Sequence, residues 1–357
     1  MDNQYLGADD PRWMEVLGRL PHDFYHRPEY SELEGVTNHA EPRAFWAREG
    51  EKELFVPYLV RRCDELFPDA PAAAGVSDVV SPYGYPGILL SEAGRKSPEF
   101  ARAAMEALSE SLRGHGVCSA FFRMHPLISE GLAELFPAGF FTASGETVAI
   151  DLSLDARVIW KHIRDSHQWT IRKCRRLGFE ARMVPLGAHI DAFMAVYQET
   201  MDRVRAKDAY YFGREYFEKL ATMEPYVQCC LVEQEGQAAA TCLIFECGGI
   251  VQAHLGGTKT EYLNNSPFHL ALHFITEWSK ARGNRYFHLG GGVGGSNDRL
   301  LHFKRGFSDR THPFLTLRLI TDEAKYRALT ALSAQAAHVP LEDRMQGEYF
   351  PAYRTLH

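Results

Sequence analysis

Two copies of the tetrapeptide His-Leu-Gly-Gly constrain the fold of this chain most strongly. They begin at His254 and His288, 34 positions apart, and each ends a run typical of a β-strand. Residues 266–283 between them have the pattern of one helix, with Ser-Pro at its start and glycine at its end. This order predicts a right-handed βαβ unit with two parallel strands. Both glycine pairs then lie at the C-terminal edge of a sheet, where open α/β sheets bind ligands.

The second copy opens a run of five glycines in six positions, residues 290–295. Glycines let a ligand or another backbone approach closely, although a run of them loses much conformational entropy on folding. We therefore predict substrate binding at this edge, and the alternative is two turns that need positive φ angles. The predicted substrate-binding residues here are His254, Gly256, Gly257, Gly290, Gly291, Gly292, Gly294 and Gly295.

The glycine run does not indicate a nucleotide-binding loop. Gly290, Gly292 and Gly295 match the pattern G-x-G-x-x-G, but only about 60 residues follow, too few for a dinucleotide-binding fold. A P-loop is excluded because Ser296 stands where that loop has its lysine.

Length and composition predict two domains. A chain of 357 residues with 45% hydrophobic residues is too long for one ordinary core. Both halves contain strand-like runs, a Gly- or Pro-rich turn, a helix that starts at Ser-Pro, and a further strand, so the fold class is α/β. We place the domains at residues 1–150 and 151–325, followed by a C-terminal helix and tail at 326–357.

Charge and cysteine usage exclude several classes of protein. The net charge of −7 argues against DNA binding, so any nucleic-acid contact needs a local basic patch. Seven cysteines without a C-x-x-C pair predict buried thiols in a reducing cytoplasm. The acidic N-terminus does not resemble a signal peptide, and the lack of a long apolar run predicts no membrane span.

Residues 157–176 form such a local basic patch, with seven Lys or Arg residues and one acid. Trp160 and Trp169 interleave with the charges, a composition suited to an RNA end or a diphosphate. A solvated basic face with two core tryptophans is the alternative. The predicted tRNA- or anion-binding residues are Lys161, Arg164, Arg172, Lys173, Arg175 and Arg176.

Two further substrate-binding candidates are Arg203, in the amphipathic helix predicted at residues 191–207, and Tyr211, just after that helix. We expect Arg203 to contact an anionic part of the acceptor, with Tyr211 nearby. An ion pair within the helix, from Glu199 to Arg203 at i, i+4, is the alternative.

One stripe has metal-ligand residue types, His269, His273 and Glu277, at i, i+4 spacing. One helix cannot surround an ion with three ligands on a single face. We therefore expect a polar helix face and no metal.

Several segments are similar to those of a known family. The most specific are ETMDRVRAKDAYYFGREYF at residues 199–217, SPFHLALHFITEWSKARGNRYFHLGGGVGG at 266–295, and LLHFKRGFS at 300–308. DFYHRPEY, SPYGYPG and FRMHPL in the first half add to them. Together they resemble the FemABX-type aminoacyltransferases of the wider GNAT-like superfamily along most of the chain.

The resemblance implies two tandem GNAT-like domains, each a mixed twisted sheet flanked by helices. It implies transfer of an aminoacyl group from charged tRNA onto a free amine of a peptidoglycan precursor or a peptide natural product. It also implies that the C-terminal tail folds back on the first domain.

The chain also departs from this superfamily in two places. It has no counterpart of the long coiled-coil arm of some cell-wall members. The GNAT pyrophosphate loop, R/Q-x-x-G-x-G/A, is missing, and EYLNNSP stands at 261–267 before the helix. We therefore expect charged tRNA as co-substrate and no cofactor. The alternatives are an N-acyltransferase that uses an acyl thioester of coenzyme A or a carrier protein, and a non-catalytic binding protein with this fold.

Amine attack on an ester produces a tetrahedral oxyanion, which a nearby cation stabilises. Lys304 in HFKRGF is the predicted residue for this role, and the resemblance also marks it as important. Its alternatives are contact with the ribose-phosphate end of the tRNA and a solvated surface position. We expect Phe303 to pack against substrate or in the core. His288 and Asp298 are candidate proton acceptors, with a buried structural role as the alternative for His288.

Overall fold

The computed structural model describes residues 1–355. The chain divides into two compact units. The first unit combines residues 1–144 with the chain from Phe314 onward, and the second unit is Gly145–Pro313.

The boundary at the end of the second unit differs from the prediction. The last strand, β13 (Thr311–Ile320), pairs antiparallel with β6 (Val117–Arg123), from Thr316 opposite Arg123 to Ile320 opposite Ser119. Residues 314–325 therefore belong to the first unit, not to the second as the sequence suggested. Pairing with a strand almost 200 positions earlier leaves no local trace in the sequence, which is why the boundary was misplaced.

The first unit contains a mixed sheet. Its other strands are β1 (Asp2–Gly7), β2 (Glu41–Glu49), β3 (Lys52–Arg62), β4 (Ser77–Val80) and β5 (Leu89–Leu90). The strand order is β1-β2-β3-β4-β6-β13, and β5 pairs with β3. The pair β4–β6 is parallel and the other pairs are antiparallel.

Helices flank this sheet. They are α1 (Pro11–Leu17), α2 (Pro28–Thr37), α3 (Glu92–Arg95), α4 (Pro98–Gly114), α11 (Glu323–Ala337) and α12 (Leu341–Met345). As the sequence predicts, Ser97 caps α4 through the N–H of Phe100, and Pro98 takes the first position. Within residues 1–355 the longest helix is α4, with 17 residues, so a long coiled-coil arm is absent from that part of the chain.

The second unit has the same layered architecture. Its strands are β7 (Thr142–Asp151), which enters the unit at Gly145, β8 (Phe179–Val184), β9 (Val227–Gln234), β10 (Gln237–Cys247), β11 (Ile250–Thr258) and β12 (Tyr286–Gly291). Its helices are α5 (Ala156–His162), α6 (Asp165–Arg176), α7 (Ile190–Val204), α8 (Arg214–Ala221), α9 (Phe268–Ala281) and α10 (Arg299–Lys304). The strand order is β7-β12-β11-β10-β9-β8.

The predicted βαβ unit is confirmed, because β11, α9 and β12 follow one another and β11 pairs with β12 in parallel. The other strand pairs of this sheet are antiparallel. The start of α9 differs from the prediction. Ser266 has a φ of 54° and its hydroxyl donates to the Leu263 carbonyl, so the helix begins at Phe268 with Pro267 as its cap.

The last described turn of the chain is held against the first unit by a buried carboxylate. Asp78 on β4 is fully buried and accepts hydrogen bonds from Tyr353 Oη at 3.0 Å and from the Arg354 guanidinium. Arg61 on β3 donates to the other carboxylate oxygen at 2.7 Å. Tyr353 also contacts Ser119 Oγ at 2.7 Å. The C-terminal segment is therefore fixed to β3 and β4 through one carboxylate with two guanidinium partners, and to β6 through the hydrogen bond between Tyr353 and Ser119.

We expect Asp78→Ala to lower the free energy of unfolding by about 3–5 kcal/mol, because it leaves two partly buried cations without their counter-charge. Asp64→Ala, which removes the partner of Arg62 at the surface, is the matched control and should change it by less than about 1 kcal/mol. Urea denaturation followed by circular dichroism measures both. Equal, small effects of the two substitutions would show that the carboxylate does not hold the segment.

Candidate active site

The site is built where two parallel strands part. Strands β11 and β12 pair over only three positions, the last of which joins Gln252 to His288. Just beyond, β11 has an irregularity against β10 that leaves His254 as the extra residue, and β12 has one against β7 at Leu289. Such bulges bend a strand and end its pairing. The C-terminal ends of β11 and β12 are therefore separate, which opens the sheet at its C-terminal edge.

Of the two histidines at this point, one is fully buried and the other is partly buried. His288 is fully buried, and its Nδ1 lies 2.6 Å from Gln252 Oε1, so the pair joins the strands where they part. This geometry matches the structural role weighed for His288 as the alternative to proton acceptance. The His254 ring packs on Phe245, with centroids 4.2 Å apart, and burial lowers the pKa of His254 to about 3. His254 is therefore neutral near pH 7.

Lys304 lies at the parted edge. It is the last residue of α10, and its Nζ donates to the carbonyl of Gly291, the last residue of β12, at 2.6 Å. Burial lowers the pKa of Lys304 to about 8, although the charge of Asp298 and the thiol of Cys242 act in the opposite direction. Cys242 on β10 pairs with Gly256 of β11. The ammonium therefore lies at the end of β12, close to Cys242 of β10, and it keeps most of its charge at pH 7.

Asp298 positions the helix that carries Lys304. It caps α10 by accepting from the N–H of Leu301 at 2.9 Å, and its other oxygen accepts from the N–H of Val293 at 2.9 Å. Burial alone would raise the pKa of Asp298, but these N–H donors outweigh it and hold the pKa below its usual value. The carboxylate is thus an ionised cap. Asp298 therefore has a structural role as a helix cap, which the sequence did not predict, in addition to its predicted role as a proton acceptor.

Phe303 belongs to an aromatic cluster inside the second unit. Its ring centroid lies 4.9 Å from that of His269, and 5.4 Å from those of His167 and Phe307. Phe303 therefore packs in the core, which is one of the two roles predicted for it. This packing holds the backbone next to Lys304 in place. Contact of Phe303 with substrate stays a prediction.

The glycine run packs against the protein's own backbone. Gly290, Gly294 and Gly295 have φ angles of 76°, 61° and 85°, in the region that favours glycine. A Cβ atom on Gly291 would lie 2.6 Å from the Glu146 carbonyl oxygen, and one on Gly292 would meet the Ser296 carbonyl. These close contacts and positive φ angles explain the glycines structurally, which is the alternative given for the run. Contact of the glycines with substrate stays a prediction.

The earlier glycine pair is packed as tightly. A Cβ on Gly256 would lie 2.6 Å from the Thr241 carbonyl oxygen, and one on Gly257 would collide with the Thr200 hydroxyl of α7. Thr200 in turn accepts from the N–H of Thr258 at 3.1 Å. The second glycine of the pair therefore lets α7 dock on β11.

Arg203 faces hydroxyl groups and not a carboxylate. Its guanidinium donates to Thr260 Oγ1 at 3.2 Å and to Thr200 Oγ1 at 3.3 Å. Glu199 accepts from the N–H of Thr260 at 2.6 Å, and the alternative ion pair between Glu199 and Arg203 is not formed in the described structure. Tyr211 Oη donates to Asp202 at 3.0 Å. Arg203 therefore has hydroxyl partners only among its hydrogen bonds, and its contact with an acceptor anion stays a prediction.

The basic residues of α5 and α6 separate into groups. Lys161, Arg172 and Arg175 line a cleft of about 530 Å³ between α5, α6 and α9. Lys173 lies elsewhere, since its Nζ donates to the Asn264 carbonyl at 2.9 Å, and Arg164 contacts His302 Nε2 at 3.0 Å. Arg176 is exposed near the end of α6.

The two tryptophans of this segment differ in the same way. Trp160 is half-buried in the wall of the cleft, whereas Trp169 is 58% exposed beside the Lys173 ammonium, 5.6 Å from its ring centroid. The sequence did not show that the basic residues serve two faces, because that depends on how α5 and α9 pack on α6.

The residues of the histidine stripe on α9 contact different neighbours, and His273 Nε2 also lies 3.5 Å from Glu277. His269 packs in the aromatic cluster, His273 on Trp160 with centroids 4.8 Å apart, and Glu277 pairs with Arg175 at 3.3 Å. Across residues 1–355 no group of three or more potential ligands is arranged to hold a metal ion.

Most backbone N–H groups of the loop before α9 are engaged within the protein. The N–H groups of five of its residues donate to protein oxygens, and Pro267 has no N–H group. These residues are Thr260, Tyr262, Leu263, Asn265 and Ser266. A helix N-terminus binds phosphate through free N–H groups, and here those of His269 and Leu270 are also engaged.

Comparisons with known proteins agree with this architecture. The crystal structure of FemX superimposes with a TM-score of 0.68 at 10% identity, over 92% of this chain and 99% of FemX. The C-terminal DUF2156 domain of an Agrobacterium fabrum protein, described as a lysylphosphatidylglycerol synthetase, gives 0.54 at 13% identity, over 91% and 94% of the two chains. The chain has a FemABX-type, GNAT-like fold. No curated protein sequence matches it.

Residues 163–305 match the family described as an acetyltransferase (GNAT) domain. The matched range lies within the second unit and contains the parted strands, the glycine run and Lys304. The second unit is thus a GNAT-type acyltransferase domain, as the sequence predicts for the chain.

We expect Lys304 to titrate at about pH 8, because burial disfavours its charged form. Reductive ¹³C-methylation followed by NMR resolves the lysines, and Lys304→Arg identifies the signal by its loss. Ordinary lysines titrate near pH 10.4. A complete set of lysine signals that all titrate at about pH 10 would contradict the placement of this ammonium.

Proposed function

We propose that the chain is an aminoacyltransferase that moves an aminoacyl group from charged tRNA onto a free amine of a peptide-type acceptor, either a peptidoglycan precursor or a peptide natural product. The acceptor nitrogen attacks the ester carbonyl carbon. A C–N bond forms and the ester C–O bond breaks. The 3′-terminal ribose oxygen leaves and takes up a proton, and the nitrogen loses one.

The observation that carries this choice of donor is the hydrogen bonding of residues 259–267. Coenzyme A carries a pyrophosphate, and a loop that binds it through backbone N–H groups must leave those groups free. In this chain the corresponding loop has no glycine, and most of its N–H groups donate to protein oxygens, namely those of Lys259, Thr260, Tyr262, Leu263, Asn265 and Ser266. Charged tRNA does not require that loop, because its phosphates can be bound elsewhere.

Lys304 is the group that we assign to the oxyanion. A preorganised donor in this role contributes about 3–4 kcal/mol to the stability of the transition state. With a pKa of about 8, the side chain is mostly a cation at pH 7, and the Gly291 carbonyl orients it. This assignment favours activity below the pKa of Lys304 and a loss of activity above it.

A strong protein base is not required for this reaction. An α-amine has a pKa of about 8 and is partly neutral near pH 7–8. This agrees with the local roles of His288 and Asp298, which are buried beside Gln252 and engaged with backbone N–H groups, respectively.

The exposed side of α6 supports an RNA donor. Trp169 is exposed and carries a lysine beside its ring, and Arg164 and Arg176 lie on the same helix or at its start. Exposed aromatic rings with adjacent cations stack bases and neutralise phosphates in single-stranded RNA complexes. A tRNA donor places the reaction in the cytoplasm. Among the described residues, no helix has the length and apolar character needed to cross a membrane.

An acyl thioester is the second candidate donor, favoured by the match of residues 163–305 to an acetyltransferase domain. A carrier-protein thioester would not require the loop before α9 to bind a pyrophosphate. In that case the same Lys304 would stabilise the oxyanion formed on a thioester carbonyl.

We expect amide product from charged tRNA, enzyme and an amine-bearing muropeptide or peptide acceptor, and we expect no product once ribonuclease has destroyed the tRNA. Mass spectrometry of the acceptor measures the added aminoacyl mass. Acetyl-coenzyme A in place of tRNA is the control, and it should give no product. Product that survives ribonuclease, or product from acetyl-coenzyme A, would remove tRNA as the donor.

A further inference from the structure

The cleft between α5, α6 and α9 concentrates positive charge in a protein with a net charge of −7. Five of its lining side chains are cationic and one is a carboxylate, Glu277. The cationic side chains are Arg157, Lys161, Arg172, Arg175 and Lys280. The volume of about 530 Å³ lies in the range of small-molecule sites.

Most of this charge is not neutralised by the protein. Arg157 and Lys161 lie at i, i+4 on α5, where like charges repel, and within residues 1–355 neither forms an ion pair with a carboxylate. Arg175 pairs with Glu277 at 3.3 Å, but both side chains are about half exposed, so the pair is weak. Lys280 is the exception, because its Nζ donates to the carbonyls of Leu152 and Leu154.

One guanidinium group of the cleft is held in place by the protein. Arg172 lies over the Trp160 ring, 5.1 Å from its centroid, and donates to Gln168 at 3.0 Å. Arg175 makes only its weak, half-exposed pair with Glu277. Forked guanidinium groups bind phosphate oxygens in pairs, which a lysine cannot do.

The inner wall of the cleft has an unmet hydrogen bond. His273 is 6% exposed and packs on Trp160, and its Nδ1 has no hydrogen-bond partner in the described structure. A buried polar atom without a partner is unfavourable unless something else satisfies it. The cations and this histidine therefore share one cavity.

We propose that this cleft binds a phosphate-ester anion with at least two negative charges. Two sources carry that chemistry: consecutive phosphodiesters of an RNA, and the diphosphate of a free nucleotide. A single carboxylate would leave most of the charge unpaired. The site lies on α5, α6 and α9, apart from the Lys304 ammonium at the end of β12, so its occupant need not carry the reacting carbonyl.

Calorimetric titration of the full chain tests the site with three probes: inorganic pyrophosphate, ADP and uncharged tRNA. The test variant is Arg157→Gln with Lys161→Gln, two exposed positions without an ion pair in the part of the chain described. We expect the double variant to lose at least about tenfold in affinity for the bound probe. Lys219→Gln, an exposed lysine of α8, is the control and should keep the wild-type affinity.

A second variant separates charge from geometry. Arg172→Lys keeps the charge and removes the guanidinium fork, so we expect it to weaken pyrophosphate or ADP binding and to leave the melting temperature unchanged.

The outcomes distinguish the two sources. If tRNA binds, if pyrophosphate displaces it, and if the double variant no longer binds it, then RNA phosphodiesters occupy the cleft. If pyrophosphate and ADP bind but tRNA does not, the cleft is a site for a free nucleotide. That result supports the proposal for the cleft and contradicts the proposal that charged tRNA is the donor. Failure of all three probes to bind saturably, or an equal loss in Lys219→Gln, overturns the proposal.

Discussion

The parting of β11 and β12 is the constraint on which the chemistry of the second unit depends. Hydrogen bonding between the strands ends at Gln252 and His288, and the irregularities at His254 and Leu289 prevent it from resuming. A β12 carbonyl at the open edge is then free to accept from Lys304. Burial in that position lowers the pKa of the ammonium to about 8. The parting of two strands thus opens the edge of the sheet and creates the buried position that lowers the pKa of Lys304.

The proposed anion site and the proposed oxyanion residue lie on different elements of the same unit. The loop before α9 uses its N–H groups internally, whereas α5 and α6 display cations and an exposed tryptophan. We propose that the phosphates of the donor bind to these helices while its carbonyl lies near Lys304. A coenzyme A donor would have to bind its pyrophosphate at a loop in which most N–H groups are already engaged.

Local patterns predicted much of the fold and little of the site geometry. The repeated His-Leu-Gly-Gly and the Ser-Pro helix start follow from periodicity and capping, and they predicted β11–α9–β12 and α4 correctly. The predicted boundary between the domains was wrong because β13 pairs with β6, which lies far away in the sequence. The position of Cys242 beside Lys304 depends on packing between distant elements, so no local signal marked that residue. Arg157 belongs to the basic stretch that the sequence showed, but its place in the cleft depends on how α5 packs against α6 and α9.

The central claim is that the protonated Lys304 stabilises the oxyanion, and a single-turnover pH profile tests it most directly. With the identified donor, the wild-type rate should fall above about pH 8, where the ammonium loses its proton. Lys304→Arg keeps its charge, so its decline should move to higher pH, and Lys304→Ala should lose about 10²-fold in rate at pH 7 while remaining folded. A wild-type rate in Lys304→Ala, or the same alkaline decline in Lys304→Arg, would contradict the account.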